Sequence, residues 1–235
     1  MLRILYCIVF IIFDLLILAL YGIILIYKYI HSKINKPKIS IINYNDKTVL
    51  FMVHGSSADE NQFILAKYML GAIPTETINL KGDCVIEEFG AQIHERIQEL
   101  GIKSVILLGV SMGGLACSYY AHNIKHQISI KGIITIGTPF LGAPLLDYLS
   151  KNSLRHQQMS CGSNFLKNLN NSLSKTSYPY LTFGSKVDLH VPDKYSIPLV
   201  KHAHYTLDYP GHIALTISHY IFCLVKKFYC QNAQN

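Results

Sequence analysis

The chain has 235 residues, half of them hydrophobic, and a net charge of +7, which is enough material for one substantial core. The charge is uneven: Arg3, Lys28, Lys33, Lys36 and Lys38 face the single acid Asp14 in the first 38 residues, leaving 16 basic and 13 acidic residues in the rest. A near-neutral body lacks the clustered basic face of a nucleic-acid binder, and six cysteines without a CxxC pair exclude a zinc-ligand pattern and a dense disulfide framework.

Cys7 lies inside an apolar run, and Cys84, Cys117, Cys161, Cys223 and Cys230 read as mostly free thiols, with a Cys223–Cys230 pairing left open. Ile4 to Tyr27, ILYCIVFIIFDLLILALYGIILIY, contains 24 residues and one charge. As a helix it rises about 36 Å, sufficient to cross a hydrocarbon core of about 30 Å. It is longer than a signal-peptide core and has no small-residue cleavage site. The expectation is an uncleaved single-pass anchor over residues 1–30, then a basic juxtamembrane linker at residues 31–38. Four lysines after the span outweigh Arg3 before it, which places the body on the cytoplasmic side by the positive-inside rule. Asn170-Asn171-Ser172 would be a legal glycosylation acceptor if the body faced a secretory lumen instead. Asp14, mid-span, either pairs with a polar group on another helix or is neutral or solvated by a local water defect.

From residue 39 to 235 short β-rich runs alternate with helical ones. Ile39–Asn43 and Thr48–Val53 read as strands, the second apolar enough for a buried parallel position. Asp59 to Leu70 suits an amphipathic helix bearing Phe63, Ala66, Tyr68 and Leu70, with Asp59 near its start. Thr75–Leu80 is a strand, and Val85 to Leu100 a helix with Ile86, Phe89, Ile93 and Ile97 on one side. Ser104–Val110 is a strand, Gly113–Lys125 a helix and Ile130–Gly137 a strand. Residues 142–177 are polar and irregular with some helical periodicity, a possible cap. Tyr180–Gly184 is a strand, Ser196–Tyr205 contains another, and Gly211 to Lys227 reads as a terminal amphipathic helix. Repeated strand–helix units predict an α/β fold, a mostly parallel sheet covered by helices on both faces.

One serine stands out. Gly109-Val110-Ser111-Met112-Gly113 matches G-x-S-x-G between a strand and a helix, where a sharp turn exposes a nucleophile and needs small neighbours. The following helix directs its N-terminal dipole at the same point. A serine hydroxyl needs a base to take its proton. Among 11 histidines, His212 follows Pro210-Gly211 at the edge of the sheet, while His190, His202, His204 and His219 compete. His202-x-His204 has the look of a metal pair, but alternate residues on a strand also mark a half-exposed edge. The acid that orients the histidine is best sought at Asp188, just beyond Tyr180–Gly184, with Asp193 and Asp208 as alternatives. Upstream, His54-Gly55-Ser56 ends the strand Thr48–Val53, where a backbone N–H for an oxyanion hole is wanted; the second would come from Met112. An ordinary turn has the same composition, and His54 itself reads as structural.

HGSS, GVSMGG, GTPFLGAP, GSKVDLHVP and PGH, in that order, resemble the α/β-hydrolase superfamily, in particular its lipase-like members, over about residues 47–225. The resemblance implies an α/β-hydrolase fold in which Ser111 is the nucleophile, Asp188 the acid, His212 the base, and the amides of Ser56 and Met112 the oxyanion hole. It implies no cofactor and no metal. With the anchor, the expected activity is a membrane-bound serine hydrolase acting on carboxylic esters, in particular acyl lipids at a bilayer. A thioesterase or acyltransferase on the same residues, or a non-catalytic membrane interaction protein retaining the fold, are the alternatives. The short body and polar 142–177 segment depart from secreted lipases with an apolar lid.

Overall fold

The computed structural model describes residues 12, 16, 19, 23, 44, 47–146, 153–175, 178–199 and 202–234. It divides into two compact units, Met1–Asn43 and Tyr44–Asn235. In the first, Ile12, Leu16, Ala19 and Ile23 are helical and exposed. The rest of the expected anchor, Asp14, the basic linker and the expected strand at Ile39–Asn43 lie outside the described residues. Among the described residues no helix is long and apolar enough to cross a membrane.

The second unit is the α/β body. Among the described residues, six strands form one sheet: β1 (Thr48–Val53), β2 (Thr75–Ile78), β3 (Ser104–Val110), β4 (Ser129–Ile136), β5 (Tyr180–Val187) and β6 (His202–Pro210). Their order is β2-β1-β3-β4-β5-β6, and every neighbouring pair is parallel. Parallel pairing requires crossovers, supplied here by α1 (Ile64–Leu70), α2 (Ile86–Glu99), α3 (Met112–Asn123) and the segment containing α4 (Leu154–Gln158) and α5 (Asn164–Leu173). The chain closes with α6 (His219–Asn232).

Successive side chains of a strand point to opposite faces, and the core divides accordingly. Val49, Phe51, Val53, Val105 and Leu107 pack with α2, α3 and α5 on one face. Leu50, Met52, Ile106, Leu108 and Val110 pack with α1 and α6 on the other. Both faces of β1 and β3 are therefore buried, which is why those strands read as unbroken apolar runs.

Several boundaries differ from the sequence reading. The first helical segment starts as a 3-10 turn, Glu60–Phe63, capped by the Asp59 carboxylate, which accepts from Asn61 N at 2.9 Å. Tyr68 is 86% exposed and lies off the buried face. The last helix does not begin at Gly211: residues Ala214–Ile217 form a separate 3-10 turn, and Ser218 caps α6 by accepting from Ile221 N. His219 is consequently the first residue of α6 and exposed, where a helix starting at Gly211 would have placed it in its interior. Cys84, Cys117, Cys223 and Cys230 are free thiols.

At the end of α3, away from the Ser111 turn, His122 stacks on Tyr180 with ring centroids 6.1 Å apart, and its Nε2 lies 2.9 Å from the Tyr180 hydroxyl. Burial, and secondarily the nearby His126, lower its pKa from 6.5 to about 4. The unfolded chain therefore takes up this proton first. The associated stability is full above about pH 6.5 and is lost as pH falls through about 4. Urea denaturation midpoints should decline across that window, and His122→Gln, which keeps a neutral polar partner for Tyr180, should flatten the decline.

Candidate active site

β3 is buried along its length after Ser104 and ends at Ser111, whose φ of 52° and ψ of −124° make it the one non-glycine residue with positive φ among the described residues. Such a conformation costs about 1–3 kcal/mol and persists only where packing enforces it. Here Ser111 N donates to Ile136 O at 2.8 Å, and Gly114 N donates to Ser111 O at 3.0 Å. The turn also needs the start of α3 to press on the end of β1. A Cβ at Gly113 would stand 2.3 Å from Val53 O and 2.5 Å from His54 O, both backbone atoms that cannot yield. Glycine there is a packing requirement.

Met112 is the first residue of α3, so its N–H has no partner within the helix and adds to the helix's positive end. Gly55 lies beside Ser111, where a Cβ would be 3.3 Å from Ser111 Cβ. Its neighbour His54 is 3% exposed and fully engaged: Leu80 N donates to Nε2 at 3.0 Å, so Nδ1 carries the proton and donates to Gly55 O at 2.8 Å. The Gly55–Ser56 peptide is trans, so fixing its carbonyl on His54 turns the Ser56 N–H the opposite way. Gln62 Oε1 accepts from Gly55 N at 3.2 Å and completes the brace.

Asp188 and His212 meet. Asp188 Oδ2 lies 2.5 Å from His212 Nδ1, and Oδ1 accepts from the backbone N–H of His190 at 2.8 Å and Val191 at 2.9 Å. The carboxylate is wholly buried and the imidazole 15% exposed. Each carboxylate oxygen therefore has a hydrogen-bond partner, as a buried polar group requires. The partnership follows from strand register: Val187 at the end of β5 pairs with Pro210 at the end of β6, so Asp188 and His212 emerge side by side. Room for the ring comes from Gly137, with φ +58°, where a Cβ would be 2.8 Å from His212 Cε1. Gly137 directly follows Ile136, whose carbonyl holds Ser111 N, so the serine and the histidine converge on the same end of β4.

Of the competing residues with described side chains, only His190 stays beside the pair. Asp193 pairs with His204 at 3.0 Å, and the exposed Asp208 pairs with Lys186 at 3.0 Å. The His190 ring packs 5.4 Å from that of His212. His219 lies 3.4 Å from Cys223 Sγ on α6, and the His202 side chain is outside the described residues. Among the described residues no group of three or more His, Cys, Asp or Glu is placed to hold a metal ion.

Two features were not anticipated from the sequence. His156 of α4 reaches over to Ser56, with Nε2 3.4 Å from Oγ, and burial followed by the Arg155 charge lowers its pKa. Nothing in LRHQQ distinguishes that histidine from a surface one. The polar 142–177 segment also contributes to the core through Leu166, Leu169 and Leu173 of α5, and Asn170 Nδ2 donates to Phe140 O at 2.7 Å. Beside it a cavity of about 370 Å³ is lined chiefly by Phe140, Leu141, Leu166 and Leu199, with Lys167 and Asn171.

The fold recurs in solved structures. A lipase-esterase related protein from Clostridium acetobutylicum is 16% identical with a TM-score of 0.61, covering 79% of this chain and 96% of its own. The mature lipase BlEst2 of Bacillus licheniformis is 17% identical with a TM-score of 0.59, covering 77% and 93%. RedJ, a thioesterase from the prodiginine pathway of Streptomyces coelicolor, is 13% identical with a TM-score of 0.57, covering 84% and 93%. At these identities the likeness is one of fold. No curated protein matches the chain. A sequence model of the alpha/beta hydrolase fold matches residues 60–214, which span the Ser111 turn and the Asp188–His212 pair. The chain belongs to the alpha/beta hydrolase fold family.

Proposed function

We propose that the protein is a serine hydrolase that cleaves carboxylic esters through an acyl-enzyme on Ser111, and that its substrates are acyl lipids. The observation that carries this reading is the buried Asp188–His212 pair held at the strand end that also holds the strained Ser111. In this mechanism His212 takes the Ser111 hydroxyl proton as the oxygen attacks the ester carbonyl. The negative charge of the tetrahedral intermediate is met by the Ser56 and Met112 amides. Asp188 stabilises the imidazolium, which then protonates the leaving alcohol. Water, activated by the same imidazole, releases the acid and restores the serine.

The lipid component draws on exposed apolar side chains in the segments that follow β4 and β5. Leu141 and Leu199 line the cavity yet remain 39% and 58% exposed, and Leu189, next to Asp188, is 47% exposed. The cavity's leucines and Phe140 offer a hydrocarbon chain an apolar wall, and Lys167, Asn170 and Asn171 share the lining. Residues 4–27 supply the second argument: as an anchor they would hold the site near a bilayer, with the body on the cytoplasmic side. Relative rates on matched oxyesters and thioesters decide whether the preferred leaving atom is oxygen or sulfur.

Ser111→Ala should abolish turnover of a short p-nitrophenyl ester while leaving the thermal melt in place; turnover retained by that variant would sink the assignment. Gly137→Ala should displace His212 from Asp188 and lower kcat by about 100-fold or more, checked by steady-state kinetics on the folded variant. The full chain should stay with membranes through alkaline carbonate extraction, and release into the supernatant would remove the anchor.

A further inference from the structure

A second aspartate–histidine pair lies within eight residues of the first and takes no direct part in the steps just described. Asp193 begins the 3-10 turn Asp193–Tyr195, in the loop that starts at Asp188. Its Oδ1 lies 3.0 Å from His204 Nε2, and its Oδ2 accepts from Thr206 Oγ1 at 2.9 Å. His204 and Thr206 are alternate residues of β6, on one face beside their register partners Thr182 and Gly184 of β5. Thr182 Oγ1 lies 2.7 Å from His204 Nδ1, so both ring nitrogens are held. Because a carboxylate only accepts, His204 Nε2 must carry the proton that faces Asp193.

The fold makes room for this contact. A Cβ at Gly184 would stand 2.3 Å from Asp193 Oδ1 and 2.4 Å from Ser196 Oγ, so any larger residue in β5 would push the loop off the strand. The loop is also tied back by a Ser185–Pro192 bridge, by Ser196 Oγ donating to Asp193 O at 2.8 Å, and by Leu141 N donating to Tyr195 O at 3.1 Å.

We infer that Asp193, His204 and Thr206 form a clamp of positioning residues that sets the geometry of the Asp188–His212 pair. The loop bearing Asp188 leaves β5, and His212 follows β6. The clamp links that loop to that strand through side chains, and it lies five residues from Asp188 and eight from His212. Asp188 is further fixed by the N–H groups of His190 and Val191 within the same loop, so a shift of the loop moves its carboxylate bodily. A loss of about 1 Å in such a contact is enough to cost about 100-fold in rate. The inference rests on the proposed catalytic roles of Asp188 and His212.

The test uses the full chain with Asp193→Ala, His204→Ala and His204→Gln, whose side-chain amide can still donate to Asp193. Thr206→Val, which removes one of the two bonds, serves if the alanine variants do not fold. For the folded variants, kcat on a short p-nitrophenyl ester should fall by about 10- to 100-fold with KM nearly unchanged. His204→Gln should recover most of the loss. Asp188 and the His190 ring both face His212; with Asp188 displaced the imidazolium is less stabilised, so the acidic limb of the kcat/KM profile should move to lower pH. The downfield proton resonance of the His212–Asp188 hydrogen bond should shift or vanish in the alanine variants and persist in His204→Gln. Folded variants with unchanged kcat, pH profile and resonance would overturn the clamp, as would a loss matched only by the fraction of unfolded protein. The resonance reads the geometry without turnover, so a Ser111→Ala variant that stays active would sink the catalytic reading while leaving the clamp decided by this signal.

Discussion

Ser111 is held at a φ of 52°, a conformation that costs a non-glycine residue about 1–3 kcal/mol, and the surrounding packing is organised around keeping it there. The strand before it is buried on both faces, and the helix after it can begin only because Gly113 lets α3 lie against the carbonyls of Val53 and His54. One backbone bond, from Ser111 N to Ile136 O, joins this turn to the neighbouring strand end. Shifting any of β1, β3, β4 or α3 relative to the others would relax the turn and withdraw the hydroxyl. The two-sided core therefore does more than stabilise the sheet: it sets the position of one oxygen atom.

The same strand ends organise the partners. β4 passes from Ile136, which holds the serine, to Gly137, which leaves space for His212. β5 and β6, in parallel register through Val187 and Pro210, deliver an acid and an imidazole to adjacent loops. On the other flank, His54 turns one peptide so that the Ser56 N–H faces away from the buried ring. Under the proposed mechanism the Ser56 and Met112 amides, His212 and Ser111 would act together, and each follows a strand at the C-terminal edge of one parallel sheet. Ligand sites on open α/β sheets lie at that edge for the same reason: loops and helix N-termini converge there.

Much of this was legible in the sequence, for identifiable reasons. Thr48–Val53 and Ser104–Val110 were readable with their full boundaries because strands buried on both faces are unbroken apolar runs. Ser111 stands out because it follows such a run within G-x-S-x-G; Asp188 and His212 are assigned from the loops after β5 and β6 by an order that a known family shares, and the structure brings those two into contact. Where the sequence reading departs from the structure, local chemistry competed. The stretch from Gly211 to Ser218 has helical composition but is interrupted by a 3-10 turn, and the capping serine lies just before His219. Leu166, Leu169 and Leu173 have helical spacing, but the Asn, Ser and Lys between them dilute the signal of a short α5. His156 and the Asp193–His204 pair were hidden more deeply, since their partners lie 100 residues away for His156 and on a neighbouring strand for Asp193. No local pattern encodes such contacts.

The central claim is that the Ser111 hydroxyl is an activated nucleophile. Its most direct measurement is reaction of the full-length protein with a fluorophosphonate probe, followed by mass spectrometry of the labelled peptide. The account predicts one covalent adduct, on Ser111, that is lost when Asp188→Asn or a His212 substitution removes the base or its orientation. A well-folded protein that takes up no probe at Ser111 would contradict it.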